Sequence, residues 1–264
     1  MKIEKIYFEN QGEKIEGILH LPERKTNSLI ILVSGFTITK DGPAGGLWIK
    51  LASKLVSKNF VTLRFNYRFT TDDFTQFHKM TIGGEVSDLK LIINEMSKRY
   101  DKIGLVGESM GGLICVLAYN EKIKCLVLWY PGIFQRETDL GKRFLSKEAE
   151  KELKETGFIK GKKSDGREYK VGKKFIEELK TLNVIPYLEK IQSPTLLIHG
   201  ENDAVVPFSH SERLLNFLKC PKKLEKIPKV CHAFKNKDFT TDYNLNAQQK
   251  AIKLTVKWLE KWLK

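Results

Sequence analysis

The chain has 264 residues, 41% of them hydrophobic, which suits one α/β domain with a modest insertion. Its net charge of +14 comes mainly from lysine, since only eight of the 46 basic residues are arginines. The lysines are spread along the chain, which is typical of a solvated surface, so we expect no nucleic-acid partner. The positive charge would still favour an anionic substrate or an acidic membrane surface.

The N-terminal part of the chain predicts a pair of antiparallel strands followed by alternating strands and helices. Residues 2–8 and 14–21 have the strand pattern. From Leu29 onward the alternation of strands with helices indicates a mostly parallel sheet covered on both faces. Residues 85–98 predict one of these helices, because apolar side chains recur there on one face. They are Val86, Leu89, Ile93 and Met96.

The most informative motif is Gly-Glu-Ser-Met-Gly at residues 107–111, which lies between an apolar strand and an apolar helix. This is G-x-S-x-G in a strand–turn–helix setting. So tight a turn exposes the Ser109 hydroxyl above the sheet edge, and Gly107 and Gly111 leave room where a side chain would collide. The motif therefore predicts Ser109 as a nucleophile that attacks carbonyl groups. Alone, it also fits a glycine-rich turn with an idle serine.

An acid and a base follow Ser109 in a recognisable order. Residues 195–207 predict a buried strand that ends in a polar turn, and Asp203 lies in that turn. His232 lies on a loop after the strand-like residues 223–228. The order serine, aspartate, histidine is that of α/β-hydrolases, and it differs from the order in chymotrypsin-like and subtilisin-like enzymes. We expect His232 to take the Ser109 proton and Asp203 to fix the tautomer of His232.

Other residues compete for these two roles. Glu201 is the alternative to Asp203 as the orienting acid. The chain has five histidines, and for four of them a structural or surface role is the better interpretation: His20, His78, His199 and His210.

Hydrolysis of a carbonyl compound also needs donors for the oxyanion. We expect one donor to be the backbone N–H of Met110, directly after the nucleophile. The second is predicted to be the N–H of Phe36, in the loop Ser34-Gly35-Phe36-Thr37 that follows the buried strand at residues 28–33. An ordinary turn at the end of a strand is the alternative interpretation of this loop.

About sixty residues separate the predicted strands at 123–130 and 195, more than a usual connection. We predict that residues 134–190 form a cap, and that residues 1–133 and 191–264 form the core. The insertion predicts a helix at 146–156 with Ser146 as N-cap, a hairpin at 158–171 and a second helix at 175–182. Its aromatic residues are expected either to contact substrate or to form the small core of the cap: Phe134, Tyr169, Phe175 and Tyr187.

Several of these segments resemble the α/β-hydrolase superfamily and, within it, the small bacterial cinnamoyl or feruloyl esterases. The loop at residues 34–37 resembles the His-Gly-Phe-Thr of that group, and residues 64–67 and 77–81 resemble its next segments. Two departures stand out. Ser34 replaces the histidine, and residues 68–73 replace a Gly-x-Gly-x-Ser-x-Gly run.

The resemblance implies an α/β fold with a mostly parallel sheet, helices on both faces and an inserted cap that shapes the acyl pocket. It also implies a serine ester hydrolase that acts through an acyl-enzyme on short-chain or aryl, hydroxycinnamoyl-type esters. A peptidase, thioesterase or amidase with the same triad would also fit, as would a non-catalytic binding protein.

We expect no organic cofactor and no metal, because the four cysteines lack metal-ligand spacing and the glycines of residues 37–46 do not form a phosphate-binding motif. No apolar run reaches 18 residues and the N-terminus is charged, so we expect no transmembrane segment, no signal peptide and a cytoplasmic location. The substrate is expected to be a small ester, and the oligomeric state stays open, with a dimer as one option.

Overall fold

The computed structural model describes residues 1–264, apart from the side chain of Ala44. Its strands are β1 (Lys2–Asn10), β2 (Glu13–Leu21), β3 (Ser28–Val33), β4 (Val61–Phe65), β5 (Lys102–Glu108), β6 (Ile123–Trp129), β7 (Phe158–Lys162), β8 (Glu168–Gly172), β9 (Thr195–Gly200) and β10 (Lys222–Ile227). Its helices are α1 (Pro43–Val56), α2 (Ile82–Met96), α3 (Met110–Ala118), α4 (Asp139–Phe144), α5 (Lys147–Thr156), α6 (Lys173–Thr181), α7 (Ile185–Leu188), α8 (Ser209–Phe217) and α9 (Leu245–Leu263).

Eight of the strands form one sheet in the order β1-β2-β4-β3-β5-β6-β9-β10. The first two strands pair antiparallel, and β2 is also antiparallel to β4. From β4 to β10 every neighbouring pair is parallel. The predicted antiparallel start and parallel centre are therefore confirmed. Because β3, β5, β6 and β9 run in the same direction, the loops at their carboxyl ends lie along one edge of the sheet.

Helices cover the sheet on both faces. Along β3, Leu29, Ile31 and Val33 belong to the core cluster that includes α2 and α3, whereas Ile30 and Leu32 belong to the cluster with α1 and α9. This alternation is what a strand buried on both sides requires, because successive side chains point to opposite faces.

Helix α2 differs in detail from the sequence prediction. It begins at Ile82, three residues before the predicted start, because the Thr81 side chain caps it by accepting a hydrogen bond from the Gly84 N–H. Val86 is only partly buried, and two acids instead occupy the buried face, Glu85 and Asp88. Asp88 is tolerated there because Arg68 forms an ion pair with it at 2.6 Å.

The elements α4 to α7 and the hairpin β7–β8 lie between β6 and β9. The predicted helix after Ser146 is confirmed, since the Ser146 side chain accepts a hydrogen bond from the Ala149 N–H at 3.1 Å. The predicted hairpin and the helix after it are also confirmed. Below, "the insertion" denotes residues 134–190. None of the helices described here is both long and apolar enough to cross a membrane.

Candidate active site

Ser109 lies at the sharp turn between β5 and α3. Its backbone has φ 53° and ψ −123°, a strained conformation for a residue that is not glycine. Hydrogen bonds hold the turn: the Ser109 N–H donates to the Trp129 carbonyl at 3.0 Å, and the Gly132 N–H donates to the Ser109 carbonyl at 2.9 Å. A Cβ on Gly107 would lie 2.7 Å from the Gly111 carbonyl oxygen, so this tight turn needs a glycine there.

The structure brings Ser109, His232 and Asp203 together. His232 Nδ1 lies 2.7 Å from Asp203 Oδ2, and His232 Nε2 lies 3.2 Å from Ser109 Oγ. Because a carboxylate oxygen accepts, Nδ1 carries the proton of the neutral imidazole and Nε2 faces the hydroxyl as an acceptor. This is the tautomer that a general base acting on Ser109 needs.

Asp203 is held from several sides in a buried position. Its Oδ1 accepts from the Val205 and Val206 N–H groups at 3.0 and 2.7 Å. Its Oδ2, the oxygen bound to His232, also lies 3.2 Å from His199 Nε2. The carboxylate is therefore fixed by four donors, which leaves it little freedom to turn away from the imidazole.

His199 hydrogen-bonds locally, as expected of a structural histidine, and one of its local partners is Asp203. Its Nε2 lies 3.0 Å from the Val206 carbonyl as well as near Asp203, and both partners accept, so Nε2 carries a proton. Its Nδ1 lies 2.7 Å from the Ser211 hydroxyl. A histidine in an otherwise apolar strand, four residues before Asp203, was the sequence signal for this contact.

Glu201 and the three remaining histidines bind partners away from Ser109. Glu201 forms an exposed ion pair with Lys226 at 2.9 Å. The histidines have neighbours outside the triad: His20 accepts a hydrogen bond from Arg64, His78 contacts the Phe158 ring, and His210 contacts the Phe134 ring.

The charges of the site shift the pKa values of both partners in the directions that an ion pair requires. Burial raises the pKa of Asp203, but the His232 charge and the hydrogen bonds from His199 and His232 outweigh it, and the net pKa is lowered. Burial lowers the pKa of His232, but the charge and hydrogen bond of Asp203, followed by the charges of Glu108 and Asp238, raise it above 6.5.

The loop after β3 lies directly against Ser109. A Cβ on Gly35 would lie 3.0 Å from the Ser109 Cβ, so only glycine permits this close approach. The Gly35 N–H donates to Glu108 Oε1 at 2.6 Å. Within the described structure, the Phe36 N–H has no hydrogen-bond acceptor, and Met110 begins α3, where an N–H has no partner in the helix.

Glu108 is a buried carboxylate beside Ser109 that the sequence analysis did not single out. Its side chain is buried against the loop after β3, with only 2% of the residue exposed. Burial raises its pKa, although the Gly35 hydrogen bond and the His232 charge lower it. The available signal was a carboxylate inside the apolar strand β5.

Ser34, which stands where the resembling esterases have histidine, fixes the same loop in another way. Its hydroxyl accepts a hydrogen bond from the Trp48 indole N–H at 2.9 Å and donates to the Thr39 carbonyl at 3.0 Å. The serine thus ties the loop to α1 and closes it on itself.

A cavity of about 640 Å³ opens in front of Ser109 and His232. Tyr169 lines it, together with Phe36 and residues of the β7–β8 hairpin. Three aromatic residues named as candidate substrate contacts lie elsewhere. Phe175 is buried against the Phe36 and Phe144 rings, Phe134 lies under the Arg213 guanidinium, and Tyr187 is 39% exposed on the surface.

The described residues contain no group of three or more His, Cys, Asp or Glu side chains arranged to hold a metal ion. The family model described as "Prolyl oligopeptidase family" matches residues 50–264, which include Ser109, Asp203 and His232. The chain belongs to the prolyl oligopeptidase family. The chain is a hydrolase of the α/β-hydrolase type, and the chain order Ser109, Asp203, His232 agrees with that fold.

The chain is similar both to curated relatives and to proteins of solved structure. Among curated relatives, mouse Serine hydrolase BPHL is 29% identical over 145 residues, and mouse Acylamino-acid-releasing enzyme is 25% identical over 231 residues. These matches cover 51% and 80% of this chain but only 50% and 29% of the relatives' own lengths. Among solved structures, Est1E from Butyrivibrio proteoclasticus with bound ferulic acid has a TM-score of 0.77 at 20% identity, covering 97% of this chain and 99% of that chain. This likeness shows the shared α/β-hydrolase fold.

Proposed function

We propose that the protein is a serine carboxylic ester hydrolase that acts through an acyl-enzyme on Ser109. The observation that carries this proposal is the continuous hydrogen-bond chain from the Ser109 hydroxyl through His232 to Asp203, at 3.2 and 2.7 Å. The raised pKa of His232 supports its role as the base, since the paired carboxylate stabilises the imidazolium that forms.

In the first half of the reaction, His232 Nε2 accepts the Ser109 proton while Oγ attacks the substrate carbonyl carbon. The electron pair of the C=O bond moves onto the oxygen, and the N–H groups of Phe36 and Met110 stabilise this oxyanion. When the tetrahedral intermediate collapses, the bond between the carbonyl carbon and the leaving oxygen breaks, and His232 donates its proton to that oxygen. The alcohol leaves, and the acyl group stays on Ser109.

In the second half, His232 accepts a proton from a water molecule, whose oxygen attacks the acyl carbon. The same two N–H groups stabilise the second oxyanion. Its collapse breaks the bond to Ser109, and the proton on His232 returns to the serine oxygen. The carboxylic acid leaves, and the enzyme is regenerated without a metal or organic cofactor.

Short-chain or aryl esters, including hydroxycinnamoyl-type esters, are the proposed substrates. A cavity of about 640 Å³ with Phe36 and Tyr169 in its wall suits a small aryl acyl group. The likeness to the ferulic-acid complex of Est1E supports the same class. Here residues 134–190 act as a cap, with residues 1–133 and 191–264 as the core that holds the catalytic groups.

Hydrolysis of peptides or acylamino acids is the second candidate. It is favoured by the family match over residues 50–264 and by the similarity to Acylamino-acid-releasing enzyme. The same triad performs both reactions, and the difference lies in the leaving group, an alcohol or an amine.

A panel of short acyl esters, aryl esters such as hydroxycinnamates, thioesters and aminoacyl amides tests the proposal. We expect kcat/KM to be highest for aryl and short-chain esters, lower for thioesters and lowest for aminoacyl amides; a preference for the amides would instead establish the second candidate. Ser109→Ala and His232→Ala should both abolish turnover of every substrate. If turnover survives both substitutions, or if the wild type hydrolyses no member of the panel, the proposed function is wrong.

A further inference from the structure

The insertion makes a polar contact with the loop that carries the proposed oxyanion donor. Lys163 lies in the turn of the β7–β8 hairpin, and its Nζ donates to the Thr37 carbonyl at 2.8 Å. Thr37 directly follows Phe36 and has φ 59°, the left-handed region that costs a non-glycine residue about 1 kcal/mol or more. An external hydrogen bond therefore stabilises a strained residue next to the donor.

The Lys163 ammonium group lies closer to the Thr37 carbonyl than to the carboxylate of Asp165, which lies on the same hairpin. The Lys163 side chain is only 13% exposed, and its Nζ is 4.0 Å from Asp165. Asp165 is itself bound by Arg167 at 2.7 Å. Burial, followed by the charge of Arg167, lowers the pKa of Lys163. The Thr37 carbonyl is the closest polar partner that Lys163 has among the described residues.

The insertion also surrounds the side chain of the residue that carries the donor. Four aromatic rings lie within 6 Å of the Phe36 ring, centroid to centroid, and the ring of Phe77 is one of them at 5.2 Å. The other three come from α4, β8 and α6 of the insertion: Phe144 at 5.7 Å, Tyr169 at 5.5 Å and Phe175 at 5.7 Å. Three of these contacts are edge-to-face and that with Phe175 is tilted, and together they restrict the rotation of the ring and thereby the peptide to which it is attached.

We propose that Lys163 is a positioning residue, which holds the Phe36–Thr37 peptide with the Phe36 N–H aimed at the oxyanion, so that the insertion is part of the catalytic machinery. This inference rests on the proposed function. In this arrangement Lys163 fixes the carbonyl after Phe36, and Phe144, Tyr169 and Phe175 fix its ring. The insertion then affects the transition state more than the binding of the substrate.

The test compares Lys163→Met with Lys162→Met and Lys163→Arg. Lys162 is the exposed neighbour that lines the same cavity, so its substitution removes a charge from the same wall but leaves the bond to Thr37. We expect Lys163→Met to lower kcat by about 10- to 100-fold, the size of effect that misplaced catalytic groups have, while KM changes less than threefold. Lys163→Arg, which can still donate to the carbonyl, should recover most of the loss.

A boronic acid whose Ser109 adduct mimics the tetrahedral intermediate gives a second readout. Its Ki should rise in Lys163→Met by the same factor as kcat/KM falls, and by a much larger factor than in Lys162→Met, which alters the cavity wall but keeps the bond to Thr37. Phe175→Leu, which loosens the packing around Phe36 without touching the cavity lining, should also lower kcat at constant KM. This variant decides the question if Lys163→Met does not fold, as judged by circular dichroism.

The inference is overturned if Lys163→Met behaves like Lys162→Met, if its effect lies in KM, or if Phe175→Leu keeps the wild-type kcat when it has to decide. Absence of turnover in the wild type would refute the proposed function itself. The two failures are thus distinguished by the activity of the unsubstituted enzyme.

Discussion

Replacing Glu108 by alanine should slow catalysis through the loop after β3. The Glu108 carboxylate accepts the Gly35 N–H at 2.6 Å in a buried environment. Alanine leaves this N–H without its partner, which costs about 1–3 kcal/mol of folding stability. The loop can recover part of that loss by turning the N–H toward solvent, and this movement displaces the adjacent Phe36 N–H.

The expected loss of rate follows from that displacement. An oxyanion donor that no longer reaches the transition state costs about 2.7–4 kcal/mol, or roughly 10²- to 10³-fold in kcat. Glu108→Gln is the matched control, because its amide oxygen can still accept the Gly35 N–H. We expect it to retain a kcat at least about tenfold higher than that of Glu108→Ala.

The assay is steady-state hydrolysis of an activated aryl ester over a range of pH. Both substitutions remove a negative charge that raises the pKa of His232, so the variants are compared on the plateau above the acid limb. Thermal unfolding confirms that each variant is folded at the assay temperature. If folded Glu108→Ala keeps a kcat within threefold of the wild type, the carboxylate does not position the loop and the reasoning is refuted.

Two further predictions concern Asp203 and the tight turn between β5 and α3. Asp203→Asn should lower the plateau rate by about 10⁴-fold, because the amide favours the wrong tautomer of His232. It should also move the acid limb of the kcat/KM profile to lower pH, because the charge that raises the His232 pKa is gone. An acid limb that stays in place in the pH–rate profile would contradict this. Gly111→Ala places a Cβ against the carbonyl oxygens of Val33 and Ser34, so it should lower the free energy of unfolding by about 3 kcal/mol. Urea unfolding measures this, and an unchanged urea midpoint would contradict the prediction.

The sheet and the three groups of the proposed triad were predictable because each has a local signal. Ser109 lies in a motif whose glycines report the turn, and Asp203 and His232 follow strand-like segments in a fixed order. The alternation of strands with helices was enough to predict a mostly parallel sheet.

The residues that the sequence reasoning missed depend on contacts between distant parts of the chain. Glu108 and Gly35 are 73 residues apart, and Lys163 and Thr37 are 126 residues apart. In a lysine-rich chain, nothing in the sequence around Lys163 indicates that it contacts a residue as distant as Thr37. The buried acid on α2 was missed for a related reason, since Asp88 can face the core only because Arg68, from another part of the chain, forms an ion pair with it.

The aromatic residues of the insertion illustrate the same limit of local patterns. Tyr169 reaches the cavity, whereas Phe175, six residues later on α6, is buried behind the Phe36 ring. Both are aromatic residues of the insertion, so the sequence offers each of them as a substrate contact. Only the packing of hairpin and helix against the loop decides which of them faces the substrate.

The proposed function depends most on Ser109 being the nucleophile. Covalent labelling measures directly whether the Ser109 hydroxyl is the group that attacks. A fluorophosphonate should add to the wild-type protein in a 1:1 ratio, with the adduct mapped to Ser109 by peptide mass spectrometry. Labelling should be absent in Ser109→Ala and strongly slowed in His232→Ala, because the hydroxyl then lacks its base. A wild-type protein that stays unlabelled, or one labelled at another residue, would contradict the account.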